Sequence, residues 1–329
     1  MEISKSTVFG GWKIDACVFL LPALLAFLIA GAMLSFGPPH VPSWYYLVLL
    51  VAFDTPHFIA GYWVMMRENG PRGLRAKLVA YLLGAYILFY YLLSSGFEAF
   101  ALTFFATFSL WHFVRQHQAW FFLALKGTEQ EKKITYWVNQ LGIGAVTWGF
   151  FLIGQCAEER EGWFAMNDLF LLPEFLKLPL TLATALAILA YVVHHARLSL
   201  RNKTFALSAH LIWLSAVLVW GGTRLFDVSY LYSPLIILPH AVAYVFLLQR
   251  YERNSVGRRL IKSPLAWLAA AYAVGIAFQG QRSWPLFFDL PLEAPLWLTA
   301  FVLAISVGHY VHDMIFWRSD ENPGWQARI

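Results

Sequence analysis

Ten stretches of about 20 mainly apolar residues follow one another along this chain, and each is long enough to cross a bilayer as a helix. They run over 15–36, 44–66, 77–95, 98–124, 134–155, 178–198, 204–223, 228–249, 262–280 and 293–317. Few folds are open to such a chain. In lipid every backbone N–H and C=O has to be satisfied internally, which leaves helices and closed barrels. Apolar runs of this length predict helices. Of the 329 residues, 59% are hydrophobic and 13% charged, where soluble domains carry about 25% charged residues. The expectation is therefore an all-α, polytopic transmembrane bundle of about ten spans, forming a single domain over 1–329.

The first apolar stretch, preceded by Lys5 and Lys13, exceeds the roughly 7–15 apolar residues of a signal-peptide core and reads as a retained anchor. The longest gap, 157–177, holds Trp163, Phe164 and an LLPEFLKLP run and reads as a segment along the outer interface. Cys17 and Cys156 form no CxxC pattern, which argues against thiol chemistry and zinc–thiolate sites.

The net charge of +5 is spread over short loops, so it carries topology and no nucleic-acid signal. With the N-terminus inside, 19 of the 24 Lys and Arg residues fall on inner segments. Arg160, Lys177, Arg224 and Arg282 fall on outer loops, and Arg115 falls inside the membrane. Basic residues resist translocation, so this split predicts cytoplasmic N- and C-termini. The predicted location is a cell membrane, that of a bacterial inner membrane, crossed many times.

The ten histidines then fall into place. His40 sits in an outer loop, and the other nine (His57, His112, His117, His194, His195, His210, His240, His309 and His312) sit in the inner half of their spans or at the inner boundary. Intramembrane ionisable groups are costly and usually face the bundle interior. The plainer readings are packing histidines with a hydrogen bond, and boundary histidines that reach out to water. His194 and His195, beside Arg197, suit the second. It fits poorly for His57, His112, His240 and His309, which lie about two turns or more from the boundary.

Those four come in matching pairs. Span 2 reads PHFIAGYWVMMREN from Pro56, and span 8 reads PHAVAYVFLLQRYERN from Pro239. Span 4 reads WHFVRQHQAW and span 10 reads GHYVHDMIFW. Spans 2–4 can thus repeat as spans 8–10 in the same orientation, an arrangement that places a site at the interface of parallel repeats. His57, His112, His240 and His309 are the predicted inner ligands of a metal, with His117, His210 and His312 as further candidates. His309 and His312 share a helix face, with Asp313 one turn beyond His309, and Asp54 stands three residues before His57. A metal-bound imidazole usually donates its other N–H to a carboxylate or carbonyl. Asp54 and Asp313 can play that part or bind metal directly. Arg115 is either a catalytic residue or the ion-pair partner of Asp54 or Asp313.

Many histidines converging near the cytoplasmic side of a multi-pass chain resemble the integral-membrane non-haem iron oxygenases. That group includes fatty-acid desaturases and hydroxylases, alkane monooxygenases and carotene dioxygenases of the Brp/Blh type. The resemblance lies in architecture and histidine placement. The spacings here are HxxxxH (His112, His117), HxxH (His309, His312) and an isolated HH, where desaturases use HxxxH and HxxHH, so no ligand set is carried over. The resemblance implies one or two non-haem irons, a lipid or isoprenoid substrate and a cytoplasmic electron donor. The aromatics near the histidines (Phe58, Trp63, Trp111, Phe113, Tyr244, Tyr310 and Trp317) either line a tunnel for it or are plain packing. Two other readings stay open: a proton- or metal-coupled transporter, and a haem b electron carrier with His57 facing His240 or His112 facing His309.

Overall fold

The computed structural model describes residues 2–3, 7–36, 57, 59, 61–62, 74–126, 133–158, 170–202, 204–226, 232–253 and 295–316. The fold is all-helical. In chain order, Trp12–Asp15, a π turn at Ala16–Leu20 and Leu21–Phe36 run on as α1. Leu74–Ser94 is α2 and Glu98–Leu125 is α3. Lys133–Gly144, a π turn at Ala145–Gly149 and Phe150–Gly154 form α4. Then come α5 (Lys177–Asn202), α6 (Leu207–Phe226), α7 (Tyr232–Arg253) and α8 (Leu296–Phe316). A two-residue parallel pairing joins β1 (Glu2–Ile3) to β2 (Thr204–Phe205). His57, Gly61 and Tyr62 also have helical backbone.

Among the described residues, four helical stretches are long and apolar enough to cross a membrane: Trp12–Ser35, Ala76–Ser94, Glu174–Arg201 and Leu207–Phe226. Helices α3 and α8 are comparably long at 28 and 21 residues. The predicted spans 262–280 and most of 44–66 lie outside the described residues, as do His40 and Asp54. Large apolar side chains are also exposed along the helices. Along α2, Leu83, Ile87 and Tyr91 form an exposed stripe at four-residue spacing, and Leu178, Leu182 and Leu186 do the same along α5. In water such stripes would be a liability; lipid accepts them.

The chain divides into two compact units, Met1–Pro38 with Leu110–Val242, and Pro39–Ser109 with Ala243–Ile329. The division falls within α3 and α7. In the second unit α2 lies along α8, around a core of Phe89, Leu92, Ala101, Phe105, Leu303 and Val307. The tight α2–α3 turn depends on Gly96, whose φ is +79°. Its N–H bonds the Leu93 carbonyl and the Phe97 N–H reaches back to Leu92, the paired closure of a Schellman cap.

In the first unit α6 packs on α1, and α4 packs on α5. The N-terminal segment is held by Asp15, a fully buried carboxylate. It accepts the Val8 and Phe9 N–H groups at 2.9 Å each, the kind of satisfaction a buried charge needs. Phe9 then stacks on Phe19 and both meet Trp120.

Candidate metal centre

In the second unit, α8 presents His309, His312 and Asp313 together, as their three- and four-residue spacing dictates. His309 is completely buried and His312 nearly so. One Asp313 oxygen lies 3.5 Å from His309 Nε2 and the other lies 3.5 Å from His312 Nδ1. These separations exceed a formed hydrogen bond, so the contacts are electrostatic. The short bond to Asp313 comes from elsewhere: the Tyr244 hydroxyl on α7 donates to Oδ1 at 2.6 Å.

His57, also buried, sets its ring edge-on to His309 with centroids 4.9 Å apart at 76°. It also meets Tyr244 at 5.5 Å. The chain has room for this because position 61, one turn after His57, is glycine. A Cβ there would stand 2.7 Å from the Tyr244 hydroxyl and 3.4 Å from His309 Nδ1. Tyr62 donates to the Ile305 carbonyl at 2.6 Å and stacks its ring on His312, which ties the His57 segment to α8.

In the first unit, His112 of α3 and His240 of α7 are buried and form a second edge-on pair, with centroids 5.1 Å apart at 73°. Phe113 closes the other side of His240 at 4.6 Å. Pro239 stands inside α7 directly before His240, and it removes the N–H that would bond the carbonyl one turn back. His117 is buried, with Nδ1 3.2 Å from the Phe113 carbonyl and its ring against Trp220.

The remaining histidines of the first unit form a separate group. His195 is buried at 3% exposure and does not reach out to water, which corrects the boundary reading for this residue. Its Nε2 meets Asn139 Oδ1 at 2.7 Å. His210 meets the Tyr191 hydroxyl through Nδ1 at 2.7 Å and lies 4.8 Å from the His195 ring. The ring neighbours of His210 are thus Tyr191, His195 and Phe205. His194 is half-buried and meets Thr135 at 3.2 Å.

Arg115 is exposed and donates to Gln118 at 3.1 Å. It makes no ion pair among the described residues. Asp54 lies outside the described residues. Cys156 donates to the Leu152 carbonyl at 3.4 Å, and burial pushes its thiol pKa up, against thiolate chemistry there.

Sequence reasoning gave Tyr244 no more than a tunnel-lining role and missed Tyr62, Tyr191 and Asn139. A signal for the tyrosines existed, because a buried phenol usually has a hydrogen-bond partner, and Tyr244 stands one turn after His240. Comparison with known proteins finds no matching family model, no matching curated protein and no matching solved structure.

Proposed function

We propose that this chain is a polytopic membrane metalloenzyme, a non-haem iron oxygenase or desaturase that acts on a lipid or isoprenoid near the cytoplasmic face. The observation that carries the reading is the His57–His309 pair, buried at 4.9 Å and backed by an Asp313 carboxylate that Tyr244 holds at 2.6 Å. Buried imidazoles with a fixed carboxylate behind them are what a metal centre requires of its ligands and of the residues that orient them. The His112–His240 pair offers the same arrangement of rings in the other unit. Each pair supplies two imidazoles for an ion in its own unit, with His312 and His117 as further candidates, while His210, also a candidate by sequence, lies against Tyr191, His195 and Phe205.

Two imidazoles about 2.0–2.1 Å from one tetrahedral ion have ring centroids roughly 5 Å apart, whereas trans ligands of a haem stand roughly 6 Å apart. Centroids at 4.9 and 5.1 Å suit two imidazoles on one non-haem ion, while the haem reading pairs the same histidines differently, His57 with His240 or His112 with His309.

Iron held there would supply activation of dioxygen for oxidation of an unactivated C–H bond. The chain's own residues would bind and orient. Tyr244 keeps its hydroxyl proton on Asp313 Oδ1 and leaves the other oxygen facing His309 Nε2. That geometry favours an N–H on Nε2 and a lone pair on Nδ1. The outward apolar stripes would let a lipid-soluble substrate approach sideways, and a cytoplasmic donor would supply electrons.

We further propose ten spans with both termini inside, in a bacterial inner membrane, and an internal repeat. The repeat matches His57 to His240 and His309 to His112, so the pair of one unit maps onto the pair of the other. Their near-equal separations and angles support it. Metal analysis of purified protein with Mössbauer spectroscopy tests the reading. Non-haem ferrous or ferric signals are expected. Folded, chelator-free protein without iron, or with a Soret band, would overturn it.

A further inference from the structure

We propose that His195 and His210 form a second cation site, a two-imidazole site for a late first-row transition metal, distinct from the pairs assigned above. It does not depend on the iron reading. Each ring has one nitrogen committed to a polar neighbour and the other buried with none. His195 offers Nε2 to the Asn139 carbonyl oxygen at 2.7 Å, while its Nδ1 has no partner among the described residues. His210 offers Nδ1 to the Tyr191 oxygen at 2.7 Å, while its Nε2 likewise has none. A metal-bound imidazole shows this division of labour, with the outer N–H donated and the inner lone pair on the ion.

The rings are also the right distance apart. Their centroids are separated by 4.8 Å at 79°, close to the roughly 5 Å of two imidazoles on one tetrahedral ion. The surroundings are rigid. Tyr191 touches both histidines and stacks on Trp213 at 4.7 Å, and Trp213 is pinned to the Gly142 carbonyl at 3.1 Å.

Imidazole suits zinc and copper. His195, His210, Asn139 and Tyr191 carry no carboxylate or thiolate, so a monovalent ion suffers less from burial there than a divalent one.

Full-length protein in detergent, stripped with chelator, is loaded separately with Zn²⁺ and with Cu⁺ and desalted. For at least one ion the wild type should retain one more equivalent than His195→Ala or His210→Ala. His57→Ala should keep that equivalent, which separates this site from the iron reading. Asn139→Leu removes the acceptor that fixes the His195 N–H and should weaken binding about 10–100-fold. Equal retention of both ions by wild type and by each of the two histidine variants overturns the proposal. Should either histidine variant fail to fold, competitive titration of Asn139→Leu against wild type takes its place, and equal affinities for both ions overturn it.

Discussion

The Tyr244 hydroxyl donates to Asp313 Oδ1 at 2.6 Å, far closer than the 3.5 Å that separates the Asp313 oxygens from His309 Nε2 and His312 Nδ1. A buried carboxylate next to two imidazoles has to be held somewhere, and this phenol on α7 holds it. Removal of the phenol separates packing from positioning. Tyr244→Phe keeps the ring and loses a hydrogen bond to a charged group, worth about 1.5–3 kcal/mol. It is expected to lower the thermal midpoint and weaken metal affinity about 10–100-fold. Unfolding curves and metal per folded protein check it, and unchanged metal affinity would deny Tyr244 a positioning role.

Asp313→Asn retains size and loses charge. With Arg115 bonded to Gln118, that cation is not left stranded by the change, so protein yield should hold while metal occupancy falls. Arg115→Ala should leave metal occupancy unchanged, since Arg115 bonds Gln118. Collapse of yield in Asp313→Asn, rescued by a second change at Arg115, would contradict the pairing seen here.

Gly61→Ala tests the close approach. Alanine ordinarily stabilises a helix interior over glycine by roughly 0.5–1 kcal/mol. Here the added carbon would stand 2.7 Å from the Tyr244 hydroxyl, so it should push the phenol off Asp313 and reproduce the metal loss of Tyr244→Phe. A more stable variant with full metal content would show that the phenol can give way.

Single alanine changes at His57, His112, His240 and His309 should each leave a foldable protein and lower its metal content. His40→Ala should be silent. Four variants with wild-type metal would place any site elsewhere.

Topology is tested with single cysteines at positions 72 and 256 after replacement of Cys17 and Cys156. Neither position should react with an impermeant maleimide added to intact cells. Labelling of either from outside would reverse or break the proposed orientation.

Helix content and apolar character were legible in the sequence because they are local quantities. An apolar run of about 20 residues specifies a helix in lipid whatever its neighbours do, and the described helices fall where the runs predicted. The spacing on α8 likewise put His309, His312 and Asp313 together in advance. Partnership across helices was not legible. His194 and His195 are adjacent and read alike, yet one is half-buried on Thr135 and the other fully enclosed on Asn139, because successive residues of a helix point about 100° apart. That His57 meets His309 and His112 meets His240, that Asp15 folds onto the Val8 and Phe9 amides, and that Tyr244 reaches Asp313 all depend on how helices turn toward each other. Composition and periodicity carry no record of that rotation; only the packed tertiary structure decides it, since which side chains meet is settled by the closest approach of whole helices.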